Sequence, residues 1–209
     1  MSKQLVIIGA SGHGKVIADI AEKVGYTDIV FLDDNPKVES CGNYKVVGGC
    51  KSAQSYKNAD FIVAIGNSKI RRKIQSELIE MGLNIVSLVH PSAVIASNVK
   101  IGVGTVVMAG AVINPCSVIG QGAIINTCAS VDHDCRIGDY VHVSVGAHVA
   151  GTVIIGDNTW VGAGATVSNN IEITNECMIG AGAVVIADIT EHGTYVGVPA
   201  KKLKVNNVR

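Results

Sequence analysis

From residue 95 to residue 185 every sixth position is aliphatic. The series is Ile95, Ile101, Val107, Ile113, Ile119, Ile125, Val131, Ile137, Val143, Val149, Ile155, Val161, Val167, Ile173, Ile179 and Val185, without a slip. Four positions after most of them stands a small residue, as at Thr105, Ala111, Ser117, Ala123, Ala129, Cys135, Ala147, Thr159, Ala165, Cys177 and Ala183. A six-residue period predicts a parallel β-helix of hexapeptides. Alternate residues of a strand face opposite sides. The aliphatic and the small residue of each hexad therefore point inward, and steps such as His133-Asp134 and Gly151-Thr152 fall at corners. Three hexads close one triangular coil of 18 residues, which gives about five coils. Gly102, Gly120, Gly138 and Gly156 recur at that spacing beside a corner, where glycine tolerates unusual dihedrals and close approach.

Before this repeat the pattern alternates between strands and helices. Leu5 to Ile8 is a buried apolar run that ends in Gly9-Ala10-Ser11-Gly12-His13-Gly14. Lys15 to Val24 carries helical spacing and stops at Gly25. Ile29 to Leu32 is a second strand, closed by the turn cluster Asp33-Asp34-Asn35-Pro36. Tyr44 to Val47 is a short strand and Ser52 to Tyr56 a weak helix. Asp60 to Ile65 is a strand ended by Gly66-Asn67, Lys69 to Met81 an amphipathic helix, and Ile85 to Val89 a last strand before His90-Pro91. This order predicts a small Rossmann-like α/β domain over residues 1–90, followed by the β-helix and a short tail over residues 91–209.

The outward positions sort into columns 18 residues apart. Lys100, Val118, Arg136, Ile154 and Glu172 form a partly charged column that suits solvent. Val106, Ile124, His142, Trp160 and Met178 form an apolar one. An apolar stripe that points outward marks an interface, so this face is expected to pack against another subunit in a closed oligomer. His148 shares a third column with Ser130 and Thr166 and takes no role.

Composition narrows the function classes. Seventeen basic and seventeen acidic residues leave a formal net charge of zero, so no electrostatic footprint for nucleic acid is present. No apolar run reaches membrane-spanning length, and Leu5 to Ile8 is too short for a signal segment. Six cysteines without a CxxC spacing read as reduced thiols of a cytoplasmic protein. No two histidines share a spacing that would pair them as metal ligands, so no metal is expected.

Two stretches carry candidate chemistry. The glycine loop follows a strand and opens a helix, whose free N–H groups and positive dipole end favour a phosphate. Asp33 and Asp34 lie 24 and 25 residues after Gly9, where a ribose-binding carboxylate is expected. A nucleotide is thus the expected ligand, with a structural tight turn as the alternative; the GxxGxG spacing departs from the dinucleotide fingerprint. His133 sits at a corner between Asp132 and Asp134. It reads as a general base oriented by Asp134, or as a solvated turn histidine. His142 reads as an interface histidine or a second catalytic one. The two lie half a coil apart, so a site using both must form between subunits.

GASGHG (Gly9 to Gly14), FLDD (Phe31 to Asp34), AIGN with IR (Ala64 to Asn67, Ile70-Arg71), VDHDC (Val131 to Cys135), HVSVGAHVAG (His142 to Gly151) and YVGVPAK (Tyr195 to Lys201) occur in this order. Together they resemble the sugar O-/N-acetyltransferases of the sialic acid and bacillosamine type, among the hexapeptide-repeat acyltransferases. The resemblance implies a left-handed hand for the β-helix and a homotrimer with active sites between subunits. It implies acetyl transfer from acetyl-CoA to the 4-amino group of a nucleotide-linked amino-dideoxy sugar, UDP-linked first of all, for surface glycan or polysaccharide synthesis. Sialic acid O-acetylation is the alternative in the same class. A nucleotide-dependent oxidoreductase and a non-catalytic sugar-nucleotide sensor are the alternatives from other classes. By the same resemblance His133, Asp134 and His142 are catalytic. Gly12, His13, Gly14, Asp33, Asp34, Gly66 and Asn67 hold the nucleotide sugar. His142, Gly151, Ala163, Ala181 and Lys201 meet acetyl-CoA. The family places Glu where this chain has Asp134.

Overall fold

The computed structural model describes residues 3–203. Its first part is a four-stranded parallel sheet in the order β2-β1-β5-β6, built from β1 (Gln4–Ile8), β2 (Asp28–Leu32), β5 (Asp60–Val63) and β6 (Asn84–Ile85). A small hairpin of β3 (Ser40–Cys41) and β4 (Tyr44–Lys45) lies beside it, and Cys50–Tyr56 forms a 3-10 helix. The helices are α1 (Gly12–Lys23) and α2 (Ser68–Glu80). Strand alternation divides the core in two. Leu5 and Ile7 pack with Ile17, Ala18, Ile20 and Ala21 of α1, while Val6 and Ile8 pack with Ala53 and with Leu78 of α2.

The second part is a parallel β-solenoid of two-residue strands on three faces. The first face runs from Leu88–Val89 through Met178–Ile179 to Thr194–Val196. The second runs from Val94–Ile95 to Val184–Val185, and the third from Lys100–Ile101 to Glu172–Ile173. Every member of the aliphatic series from Val107 to Val185 is buried, as are the small partners Ala111, Ala123, Ala129, Ala147, Ala165 and Ala183. The second face has six strands, one per coil, against the five coils expected. The extra coil starts at Leu88–Val89, which pairs with Val106–Val107 rather than with the N-terminal sheet. The expected strand Ile85–Val89 is therefore split. Its first residue pairs with β5 and its last two open the solenoid. The change of sheet falls between Ile85 and Leu88.

The glycine column has one of its two expected causes. Gly102, Gly120, Gly138 and Gly156 are absent from the positive-φ residues. What excludes a side chain is the next coil: a Cβ on Gly120 would lie 2.6 Å from the Asp139 nitrogen. The left-handed bends occur elsewhere at the corners, often on non-glycine residues such as Asp134 (φ 59°), Thr152 (φ 60°) and Asn170 (φ 59°).

The apolar column of the first face needs a correction. Val106 and Ile124 are buried at 1% exposure, but against the chain's own α1 and β1, in one cluster with Leu5, Ile17 and Met108. Only Trp160 and Met178, at 39% and 44%, remain exposed. The upper coils of this face thus seat the N-terminal domain, not a second subunit. Helix α2 completes the seat along the edge between the third and first faces. Gln75 donates to Val103 O, Arg71 to Gly122 O and Tyr140 O, Arg72 pairs with Asp157 and Lys69 with Glu176. One helix therefore contacts five successive coils.

Candidate active site

His133 stands in the bend Asp132-His133-Asp134 at the corner between the second and third faces. Asp132 Oδ1 fixes the bend by accepting from the His133 N–H (2.8 Å) and from Asn114 Nδ2 one coil earlier (2.7 Å). Asp134 takes a left-handed φ, which aspartate tolerates better than most residues. Side chains of strand neighbours diverge, but this bend brings the Asp134 carboxylate Oδ2 to 2.8 Å from His133 Nδ1. The carboxylate raises the imidazole pKa above its ordinary 6.5, and the negative charge of Asp132 adds to the shift. With Nδ1–H donated to Asp134, Nε2 carries the lone pair. Gly151, directly one coil on, is buried beneath that ring. A Cβ there would lie 2.6 Å from His133 Nε2. Gly151→Ala is therefore expected to push the ring aside and lower kcat by about ten- to a hundred-fold, with an unchanged thermal melt. Full activity of this variant would show that the ring position is unimportant.

Cys135 beside this pair is no nucleophile. It is buried, its thiol donates to Ala150 O (3.1 Å), and burial raises its pKa.

His142 is held very differently. Asn126 Oδ1 accepts from the Thr127 N–H (2.7 Å), which turns Nδ2 toward His142 Nε2 at 3.0 Å. Nε2 is then an acceptor, and the proton sits on Nδ1, which is buried without a hydrogen-bond partner among the described residues. The ring stacks on Trp160, with centroids 5.0 Å apart, and the Trp160 indole N–H donates to Ser144 Oγ. Burial lowers its pKa to about 3, helped by the positive charge of Arg71. His13, at the start of α1, is likewise lowered to about 4 by burial and by Arg71, and its Nε2 is a second buried atom without a partner. Both imidazoles are neutral at physiological pH. They are neutral hydrogen-bonding groups near one cation rather than proton carriers.

Arg71 is that cation. It is 1% exposed and donates to Ile65 O, Gly66 O, Gly122 O and Tyr140 O at 2.7–2.8 Å. The resemblance put Arg71 in a motif but gave it no role. An Arg in the basic run Lys69 to Lys73 of an amphipathic helix looks solvated in sequence, and two of its four carbonyls come only from the docked solenoid. The contacts of Asn126 with His142 and of Asn114 with Asp132 were also not singled out, whereas the Trp160–His142 stack follows from the column the two residues share.

The expected nucleotide residues divide. Gly12 is exposed at the α1 N-terminus with open space around it. Gly14 is buried, and a Cβ there would meet Gly9 O and, at 2.9 Å, the Phe31 ring. Its glycine serves helix–strand packing. Asp33 accepts from the N–H groups of Ala10 (2.7 Å) and Asn35 (2.8 Å), and Asp34 from that of Cys50 (2.7 Å). These carboxylates brace the loops that line a cavity of about 380 Å³. Gly66 and Asn67 line a different cavity of about 360 Å³, shared with Trp160 and Met178. Asn67 caps α2 by accepting from the Ile70 N–H.

Of the residues expected at acetyl-CoA, Gly151 lies at the His133 corner. Ala163 and Ala181 are exposed and stacked at the corner between the first and second faces, joined by Gly182 N–H to Ala163 O (2.8 Å). Lys201 is exposed on a strand antiparallel to Thr194–Val196. Among the described residues no group of three or more His, Cys, Asp and Glu could hold a metal ion, and no helix is long and apolar enough to cross a membrane.

Residues 4–78 match the PglD N-terminal domain, and residues 152–187 match the bacterial transferase hexapeptide (six repeats). The acetyltransferase domain of PglB from Neisseria gonorrhoeae, solved with acetyl coenzyme A, superposes with a TM-score of 0.94. It is 40% identical over 97% of this chain and 100% of that one. The chain belongs to the hexapeptide-repeat sugar acetyltransferases. Within this family PerB from Caulobacter crescentus, solved with CoA and GDP-perosamine, is 36% identical over 98% of this chain and 99% of its own, with a TM-score of 0.92. Among curated proteins, a GDP-perosamine N-acetyltransferase of Escherichia coli O157:H7 is 31% identical over 60% of this chain. A UDP-N-acetylbacillosamine N-acetyltransferase of Bacillus subtilis is 36% identical over 51% of it. The matched stretches span 58% and 52% of those two proteins.

Proposed function

We propose that this hexapeptide-repeat acetyltransferase moves acetyl from acetyl-CoA to the 4-amino group of an amino-dideoxy sugar linked to a nucleoside diphosphate. The observation that carries the reading is the exposed His133–Asp134 pair, with Nε2 free of any partner side chain among the described residues. Relatives solved with acetyl coenzyme A, and with CoA and GDP-perosamine, support the choice of donor and acceptor.

The reaction follows from the chain's own groups. The neutral amine attacks the thioester carbonyl carbon. His133 Nε2 accepts the amine proton, and Asp134 stabilises the imidazolium formed. The carbon–sulfur bond breaks, the thiolate leaves, and it takes the proton back as free CoA. No acyl-enzyme is involved. The neutral His142 and His13 each carry one ring N–H and orient the acceptor without gaining charge.

In one copy of the chain the His133 corner lies opposite the first face, which carries His142. The body of the solenoid separates them. A site that uses both therefore takes His133 from one subunit and His142 from another, in a homotrimer. Free-thiol release from acetyl-CoA is expected with UDP- and GDP-linked 4-amino sugars and not with sialic acid. Release with sialic acid alone would replace N-acetylation by O-acetylation.

A further inference from the structure

We propose that Ser117 is a positioning residue for the general base: its buried hydroxyl sets the shape of the corner that carries His133 and Asp134. The inference deepens the acetyl-transfer reading above and rests on it for its kinetic test. Ser117 is fully buried, one coil before that corner. Its Oγ donates to Asp132 O (2.6 Å) and accepts from the Cys135 N–H (3.1 Å). One hydroxyl, as donor and acceptor at once, thus bridges the two ends of the bend that holds the base.

Other corners show what this bridge replaces. Between the first and second faces the last residue of the bend donates its N–H directly to the carbonyl of the first. Ala129 does so to Asn126 O (3.0 Å), Ala147 to Ser144 O (3.0 Å), Ala165 to Gly162 O (3.1 Å) and Ala183 to Gly180 O (3.2 Å). The inward residue one coil before each of these bends is an alanine (Ala111, Ala129, Ala147 or Ala165), which has no hydroxyl to offer. At the base's corner the direct bond is not made, and Ser117 Oγ satisfies both groups. This bend therefore takes its shape from the preceding coil rather than from its own backbone. Thr105 bridges Gly120 O and the Ala123 N–H in the same way (2.8 and 3.0 Å), and Thr159 bridges Thr174 O and the Cys177 N–H (3.1 and 3.2 Å). Those two corners carry Gly122, whose carbonyl meets Arg71, and Glu176, which pairs with Lys69.

The shape matters because the catalytic pair lies inside the bend. His133 Nδ1 and Asp134 Oδ2, 2.8 Å apart, belong to its two central residues, and Asp134 holds a left-handed φ of 59°. The same preceding coil grips the corner at two further points. Asn114 Nδ2 donates to Asp132 Oδ1 (2.7 Å), and the Asp134 N–H donates to Pro115 O (3.1 Å). Removing the hydroxyl frees Asp132 O and the Cys135 N–H to close on each other, as Asn126 O and the Ala129 N–H do. That closure turns the peptide units between them and carries the His133 ring with it. A displacement of about 1 Å at a reacting group costs up to about a hundred-fold in rate.

Threonine and valine at position 117 separate the bond from the packing, since they are nearly equal in volume and only one has a hydroxyl. In the full chain Ser117→Thr is expected to keep kcat within about two-fold, whereas Ser117→Val lowers it by about ten- to a hundred-fold with the KM for acetyl-CoA kept. Ser117→Ala repeats the loss without added bulk, and it is expected to fold because alanine fills the equivalent place in other coils. The His133 imidazole gives a second readout that needs no substrate. Its NMR titration is expected to move down toward 6.5 in the Val and Ala variants, as its bond to Asp134 loosens while the charge of Asp132 stays, and to keep its place in Ser117→Thr. Equal kcat in the Thr and Val variants would overturn the proposal, and so would a titration that does not move in Val or Ala; the hydroxyl would then serve stability alone. The reaction stands or falls separately. A titration that moves as expected, in a protein that transfers acetyl to no nucleotide sugar, keeps the positioning role and removes the reaction.

Discussion

His133→Ala is expected to lower kcat by about two to four decades while acetyl-CoA still binds. That is the usual contribution of a positioned general base. The histidine side chain is 56% exposed in one copy and its ring lies only over Gly151, so the thermal melt should stay close to where it was. The pH profile identifies the group. The base works only when neutral, and its pKa is raised above 6.5 chiefly by the bond to Asp134. Activity should therefore rise with pH through a limb lying above 6.5. Asp134→Asn removes the largest cause of the shift, so the limb moves down toward 6.5. A limb that stays put in this variant would belong to the substrate amine and would remove His133 as the titrating base. Near-normal turnover by His133→Ala would do so more directly.

Arg71→Ala is expected to destabilise the fold by about 3–5 kcal/mol, since several buried carbonyls lose their donor at about 1–3 kcal/mol each. For a chain of this size that lowers the melting temperature by on the order of 10 °C. Four carbonyls, two in the Ile65-Gly66 loop and two in the solenoid, lose their donor together. The guanidinium faces no carboxylate among the described residues, and burial lowers its pKa to about 10, which still leaves it charged at neutral pH. Arg71→Lys should not restore stability. One ammonium cannot reach carbonyls that the planar fork meets in three directions. Full stability of the lysine variant in urea unfolding would mean that the charge, not the fork, is what the loop requires. Because the clamp fixes Gly66 and Asn67 against the solenoid, loss of Arg71 also loosens the cavity below Trp160.

The parts of this protein written in short-range repetition were legible in its sequence. The period from Ile95 to Val185 specifies the solenoid because each coil repeats one steric rule: aliphatic and small side chains inward, a corner between. The His133–Asp134 pair was legible for the same reason, since its partners are neighbours in the chain and its corner is set by the repeat. The β–α alternation before residue 90 and the loop at Gly12 follow from local spacing as well. Three things were decided only by the tertiary structure. The apolar column through Val106 and Ile124 is covered by α1, because the N-terminal domain folds back on the coils. Asp33, Asp34 and Gly14 hold loops and packing, because the N–H groups and the Phe31 ring that occupy them come from distant segments. Arg71, His13 and His142 come together, the arginine buried and both imidazoles half-buried, because α1, α2 and the fourth coil meet there. A hexad repeat fixes which way a side chain points. What waits at the end of it depends on the body that docks there, and that is a property of the whole fold.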